Sequence, residues 1–475
     1  MVFVIMAFYM DDAYFNLLGS KAYIVLSMAL IYGILMLIRE RERIDREPME
    51  SANMASRGAK GQKKRNLIDI SIASFVLIAL ISTLFSKYKT DAFWGHYGWA
   101  VGSLYIFTLG VMYYFVSRNM QWKSWMYGVI TGSATAVFLW AITDECYMDI
   151  FGMHMGIEKE TAYNYLASIG NNNWFSGYWA MILPFFFFGL RKGPVWRNVL
   201  VGAGLFIAIF AGVNCRADSL FLGLGVILGI SLLRAIGERE KSVFTGLAWM
   251  ITGVAMGASK GIRSYIHMIE IDEISLKVMN SRIWMILFVV GVILMLLPNM
   301  KGKKYIRLGL LIAGIAVVLA GVYAQAQQFG PTWGTLRGDT WMVSVRAFGK
   351  GTFLEKIFGI GPDCFGHVYY ELTGSDWFRN AHNEYLQYLI TMGIAGVISY
   401  VMIYVAALRE GVRSEVGVTE EELPLKFICF SGIMAYGAQA VVNNPQALNG
   451  AIFFTLLAIL RGVDYTKRDG SIFTR

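Results

Sequence analysis

LIDISIASFVLIALISTLF, Leu67–Phe85, holds nineteen residues with a single charge, Asp69, near its start. About 20 predominantly apolar residues cross a bilayer as a helix, so this stretch reads as a membrane span. Its apolar residues run without period-2 alternation, which argues against a strand of an outer-membrane barrel. Working outward, the same reading applies to Lys21–Ile38 before it. After it come Val101–Val116, Ser124–Thr143, Trp174–Leu190, Asn198–Val213, Leu220–Leu233 and Val243–Ala258. Ser281–Leu297, Leu308–Ala324, Ala381–Leu408, Phe427–Val442 and Asn449–Leu460 complete the set. The expectation is an all-α polytopic transmembrane protein of about 12–14 spans, thirteen of them complete. The opening MVFVIMAFYM is apolar but too short to span, and reads as a truncated helix or as a start codon set too late.

Composition agrees. Hydrophobic residues make up 56% of 475 and charged residues only 16%, against about 25% in ordinary soluble chains. A soluble fold has no core large enough for that much apolar surface. The net charge of +9 carries no nucleic-acid implication, because most Lys and Arg fall on alternate connections, the positive-inside signature. The segment Arg39–Asn66, with nine Lys or Arg against five Asp or Glu, is read as a flexible cytoplasmic linker and orients the rest. RKGPVWR (Arg191–Arg197), KGKKYIR (Lys301–Arg307) and Arg409–Lys426 mark later cytoplasmic turns.

Four regions follow: 1–66, the N-terminal span and basic linker; 67–324, a helical core; 325–380, a large extracytoplasmic loop; and 381–475, the C-terminal spans with a short cytoplasmic tail. Three outer segments are too long to be turns: Asp144–Asn173, Ser259–Asn280 and Gln325–Asn380. The last is rich in Trp, Tyr, Phe and Gly, the composition of a folded loop on the membrane surface. No internal repeat is visible, which weakens an inverted-repeat transporter. Cys146, Cys215, Cys364 and Cys429 form no CxxC pair and no metal-like spacing; three fall outside and admit one disulfide.

Charges inside spans are costly and therefore informative. Here they gather at outer ends: Arg216 in NCRADS, Arg282, then Arg337, Arg346 and Arg379 in the large loop, with His382 at a span start. Arg presents a planar fork of donors suited to phosphate oxygens. The plainer reading is that interfacial Arg snorkels to lipid headgroups. It is weakest for Arg216, which sits between two closely spaced spans. His382 is equally readable as a helix-terminal cap. A helix N-terminus favours its neutral imidazole, and a nearby diphosphate works against that.

The stretch RGDTWMVSVRAF…IFGIGPDCFGHVYY…AHNEYLQYLITMGIAGVISY, Arg337–Tyr400, resembles the O-antigen ligase and polysaccharide polymerase family of bacterial membrane glycosyltransferases. In order it carries Arg337-x-x-x-Trp341, Gly359-Ile360-Gly361-Pro362, His382-Asn383, Leu386-Gln387, Gly393 and Gly396. SIGNNNWFSGYWAMILP (Ser168–Pro184), with Gly170, Asn171 and Asn173, is similar to the family's Gly-Asn-x-Asn span opening. NCRADSLFLGLG (Asn214–Gly225) is similar to its Ser-Arg-Gly motif, with Asn214-Cys215 in place of Thr-Ser and Ala217 in place of Gly. FWGHYGWAVG (Phe93–Gly102) resembles a further segment; Gly98-Trp99 stand where members often have an Arg, and His96 is the nearby substitute. Together the matches run from about residue 90 to residue 400.

The resemblance implies transfer of a glycan from a polyprenyl (undecaprenyl) diphosphate carrier to an acceptor hydroxyl, on a glycan or glycolipid, for surface polysaccharide. It places the reaction on the outer side of a bacterial cytoplasmic membrane, with no cofactor, metal or nucleotide sugar. His382 is then the expected base, and Arg216 and Arg337 the expected stabilisers of the leaving diphosphate. Arg346, Trp341, Asn383, Asn173 and His96 are expected substrate-binding residues. Attack opposite the leaving group inverts the anomeric centre. The alternative is a flippase for lipid-linked oligosaccharide, which calls for ionisable groups in a central cavity.

Overall fold

The computed structural model describes residues 1–50, 66–299, 302–413 and 422–468. Apart from one hairpin, Tyr165–Leu166 paired antiparallel with Gly170–Asn171, its regular structure is helical. Seven helices are long and apolar enough to cross a membrane: Leu17–Leu35, Leu67–Phe85, Ser124–Glu145, Val195–Asn214, Arg239–Ile262, Lys303–Ala326 and Glu384–Val412. Glu273–Asn280 and Ile283–Leu296, bent by 57° against each other, make an eighth if taken together. Four of the remaining sequence-expected spans fall on shorter helices, Ser103–Asn119, Asn172–Phe187, Leu220–Ala235 and Leu425–Gln439, and the fifth on Ala447–Arg468. At 15 to 17 residues the four rise roughly 22–26 Å, less than the ~30 Å of a hydrocarbon core.

The core is built around Asn172–Phe187. Phe175, Tyr178, Trp179, Phe185 and Phe186 on this helix are all buried, so it is enclosed on every side. Trp179 donates its indole N–H to the Ala208 carbonyl at 2.6 Å, leaving no unpaired polar atom on that ring. At the end of the bundle away from Asn172, Asp69 ties three helices together. It accepts from Tyr113 at 2.6 Å, Arg118 at 3.1 Å and Arg461 at 3.2 Å. Lys303–Ala326 is the opposite case: apolar along its length, with no buried residue.

Two expectations change. The first twelve residues of the supposed linker Arg39–Asn66 continue a helix, Leu17–Glu50, because a run of Arg and Glu favours helix once a span nucleates it. Residues 51–65, with the C-terminal tail from 469, lie outside the described residues. The segment Gln325–Asn380 is mostly helical: Trp333–Lys350, Phe353–Phe358 and Phe365–Thr373. Its aromatic residues form a small core of their own, with Val343, Phe365, Tyr369, Ala381 and Ile390 buried together. All four cysteines are free, so the admitted disulfide does not form.

The glycine motifs of this region meet at one point. Gly393 interrupts Glu384–Val412 with φ 69°, which strips the Ile390 and Thr391 carbonyls of their helical partners. Ile360 N–H donates to the Ile390 carbonyl at 3.1 Å and Gly361 N–H to the Thr391 carbonyl at 3.0 Å, replacing them. The approach needs bare backbones. A Cβ on Gly393 falls 2.3 Å from the Ile357 carbonyl carbon, and one on Gly359 falls 2.2 Å from that of Thr391. Gly393→Ala therefore combines a left-handed backbone cost of about 1–3 kcal/mol with a backbone clash. The expected result is a large loss of monodisperse protein after detergent extraction. Gly349→Ala, where an added Cβ meets nothing within 4 Å, leaves the yield unchanged.

Candidate active site

The start of Asn172–Phe187, the Arg216 turn, the Trp333–Lys350 helix and the turn after Leu425–Gln439 converge on Arg337. Its Nε donates to the Val442 carbonyl at 2.8 Å, Nη1 to the Gly334 carbonyl at 2.8 Å and Nη2 to Asn173 Oδ1 at 3.2 Å. All three acceptors are neutral, and two of the five N–H groups stay free. Among the described residues no carboxylate lies within 4.0 Å of this half-buried guanidinium. Burial lowers its pKa from the ordinary arginine value, and the charges of Asp272 and Asp218 work against that.

Arg216 stands opposite, its Nε 3.8 Å from Asp272 Oδ1. Asp272 has its pKa raised by burial and by the neighbouring Asp218, while Arg216 and Arg337 pull it down. Asp218 accepts from the backbone N–H and hydroxyl of Ser275, at 2.8 and 2.7 Å, and so fixes the start of Glu273–Asn280. Arg216 adopts φ 57°, a conformation rare for residues with a Cβ, and Asn172 Nδ2 holds its carbonyl at 3.1 Å.

His382 is also left-handed, with φ 48°, and its N–H donates to Asn380 Oδ1 at 3.1 Å. Its ring meets Phe378 edge-on with centroids 5.5 Å apart. Burial first, and the charge of Arg337 second, lower its pKa to about 4. The imidazole is neutral at pH 7, as a proton acceptor must be. Among the described residues neither ring nitrogen has a hydrogen-bond partner. Two strained non-glycine backbones beside one half-buried cation mark this end of the bundle as a functional candidate.

The other expected residues divide. Asn173 belongs to the site as the acceptor that orients Arg337. Trp341 lies one helical turn after Arg337, on the same face, with a buried indole N–H that has no partner. Asn383 is a helix cap: its Oδ1 accepts from Leu386 N at 3.0 Å, so that oxygen is already occupied by the fold. Arg346 is exposed and nine residues beyond Arg337, which is roughly 13 Å along the helix and on its opposite face. It does not join the group.

His96 sits in a second cluster. Arg379 Nη1 lies 2.7 Å from His96 Nε2, and His367 Nε2 lies 2.7 Å from Asp91 Oδ2. Burial and the Arg379 charge lower the His96 pKa. His96, His367 and Arg379 line a cavity of their own with Tyr370 and Asp363. Arg379 and His382 are three residues apart, so at most about 10 Å of chain separates the two clusters.

The turn VVNNPQALNG, Val441–Gly450, escaped the sequence reading. Asn443, Asn444, Gln446 and Asn449 are all buried. Asn443 Nδ2 donates to Ser219 Oγ at 3.2 Å and to the Asn173 carbonyl at 3.3 Å. Asn443 Oδ1, Asn444 Nδ2, Gln446 Nε2 and Asn449 Oδ1 have no partner. The signal was present: four amides and no charge between two apolar segments is too polar for a passive turn. A second omission is Asp144, Asp149 and His154, which converge although their spacing carries no familiar metal pattern. No protein-family model matches this chain, and no curated protein is significantly similar to it.

Proposed function

We propose that the chain is a membrane glycosyltransferase that moves a glycan from a polyprenyl diphosphate carrier to an acceptor hydroxyl. The observation that carries the reading is Arg337, a half-buried cation whose hydrogen bonds go to neutral oxygens. Asp272 and Asp218 act on it only from beyond ion-pair distance, and a diphosphate held by Arg337 and Arg216 places negative charge directly on both forks. In this reading the four shorter helices, Ala447–Arg468 and the bent pair also span, giving thirteen crossings. The site lies on the outer side of a bacterial cytoplasmic membrane, with the 325–380 segment covering it.

The chemistry follows from the placement. His382 takes the proton of the acceptor hydroxyl, and the oxygen attacks the anomeric carbon from the face opposite the carrier. The bond from that carbon to the diphosphate oxygen breaks with inversion, and the leaving group departs as an anion. Arg337 and Arg216 stabilise the charge that grows on it. Trp341 and Asn173 complete the donor side. The His96 cavity is an acceptor side.

The test is reconstitution of the purified protein in vesicles with a lipid-linked glycan donor. Longer chains on the carrier identify a polymerase, and glycan moved to a second lipid identifies a ligase. Unaltered donor that merely changes leaflet identifies the flippase and refutes the transferase reading. In cells, deletion of the gene followed by sizing of surface polysaccharide separates the same cases. Short units without long chains point to polymerase, and full-length chains stranded on the carrier point to ligase.

A further inference from the structure

Asp144 closes the last turn of Ser124–Glu145, and the chain then runs through DECYMDIFGMH, Asp144–His154, before the Tyr165–Leu166 strand. One ligand atom from each of Asp144, Asp149 and His154 lies within 4.8 Å of the others. His154 Nδ1 is 3.6 Å from Asp149 Oδ1. Asp144 and His154 are at least nine-tenths buried, at 0% and 8% exposure. Asp144 Oδ1 and His154 Nδ1 have no hydrogen-bond partner.

The surroundings fix how each group faces the centre. His154 Nε2 lies 3.0 Å from the Tyr165 carbonyl, which only accepts, so Nε2 carries the proton. Nδ1 therefore turns a bare lone pair toward two carboxylates. A backbone carbonyl on the far nitrogen is the outer support that metal-binding histidines ordinarily have. The carboxylates are held likewise. Asp144 Oδ2 accepts from Ala167 N–H at 2.7 Å. Asp149 accepts from Met153 N–H at 2.7 Å and His154 N–H at 2.9 Å. Without a cation, three electron-rich atoms face one another in a buried place.

We propose that Asp144, Asp149 and His154 form a divalent metal site that takes Zn²⁺, with water completing its shell. One imidazole and two carboxylates suit a borderline transition ion. Ca²⁺ asks for six or more oxygens. Ligands about 2.0–2.2 Å from a tetrahedral centre are roughly 3.4 Å apart, close to the His154–Asp149 spacing. Asp144, within 4.8 Å of both, has to draw in by at most about 1.4 Å. The ion pins the 146–166 segment to the end of its helix and thereby steadies the hairpin that leads into Asn173. This inference does not rest on the transferase reading, because the site shares no residue with it.

The experiment uses the full chain in detergent, without a polyhistidine tag, stripped with a chelator and titrated with Zn²⁺ and with Co²⁺. The expected result is one tight equivalent of Zn²⁺ per chain and visible d–d absorption on Co²⁺ binding. His154→Gln and Asp149→Asn are expected to weaken Zn²⁺ binding at least ~100-fold. No stoichiometric uptake by the wild type, or uptake indifferent to both substitutions, overturns the proposal. Should the variants fail to fold, the wild-type Co²⁺ spectrum decides alone, and absence of the visible bands refutes the site. A cluster that a proton alone neutralises gives that last outcome.

Discussion

His382→Ala lowers glycan transfer by about 10²–10⁴-fold, the range for loss of a positioned general base, and leaves donor binding near the wild-type level. In the proposed reaction His382 contributes to the acceptor's proton and not to the carrier. Its pKa of about 4 in the free protein adds a second expectation. The base works deprotonated, so activity is retained above that pKa and lost as pH falls through it. In kcat/KM, which reports the free protein, the acid limb lies near pH 4. A bound diphosphate offsets the Arg337 charge that depresses the pKa, so the acid limb of kcat lies at higher pH. Transfer within tenfold of wild type in His382→Ala, with both limbs unmoved, removes the base assignment.

Arg337→Lys lowers transfer by about 10²–10³-fold although it keeps the positive charge. Lysine has a point charge in place of the fork, and it cannot reach Val442, Gly334 and Asn173 together while offering further donors to a ligand. The loss is expected in kcat more than in KM, since charge on the diphosphate grows as the bond breaks. Arg346→Lys serves as the control, because that side chain is exposed on the other face of the helix and changes transfer little. Equal effects of the two substitutions would mean that the measured loss reflects the loop's general basicity, and the clamp would have to be abandoned.

Much of the architecture was legible in the sequence because membranes impose a simple rule: apolar length. Each segment read as a span falls on a helix, and the span read from Ser281 falls on the second helix of a bent pair. The site was only partly legible. Arg216, Arg337 and Asn173 come together, but with 325–380 read as a loop the nine-residue spacing of Arg337 and Arg346 carried no helical face, and no spacing reports that His96 joins Arg379 and not Arg216. Asn383 looked like a ligand contact because it neighbours His382, and helix capping uses the same residue type. Asp272 was read only as part of a long outer segment. Its place between two arginines is a tertiary fact. The buried amides of Val441–Gly450 were overlooked for a different reason: uncharged polar residues do not disturb a charge census.

The meeting of Gly359 with Gly393 bears on how the proposed site is walled. Backbone hydrogen bonds lock the 359–361 turn to the broken helix whose first turns follow His382, and Ser86 adds its hydroxyl to the Ile360 carbonyl. That wall is rigid. The facing wall, the Trp333–Lys350 helix, is joined to its neighbours through side chains: Arg337 on the Val442 carbonyl, Thr340 on the Ala381 carbonyl at 3.1 Å, and Tyr369 on Asp339 at 2.8 Å. Its first turn contains three successive left-handed residues, Gly334, Thr335 and Leu336, spanned by Asp339 N–H on the Pro331 carbonyl at 3.0 Å. One side of the site is thus fixed by backbone pairing, and the side that carries the arginine by side chains.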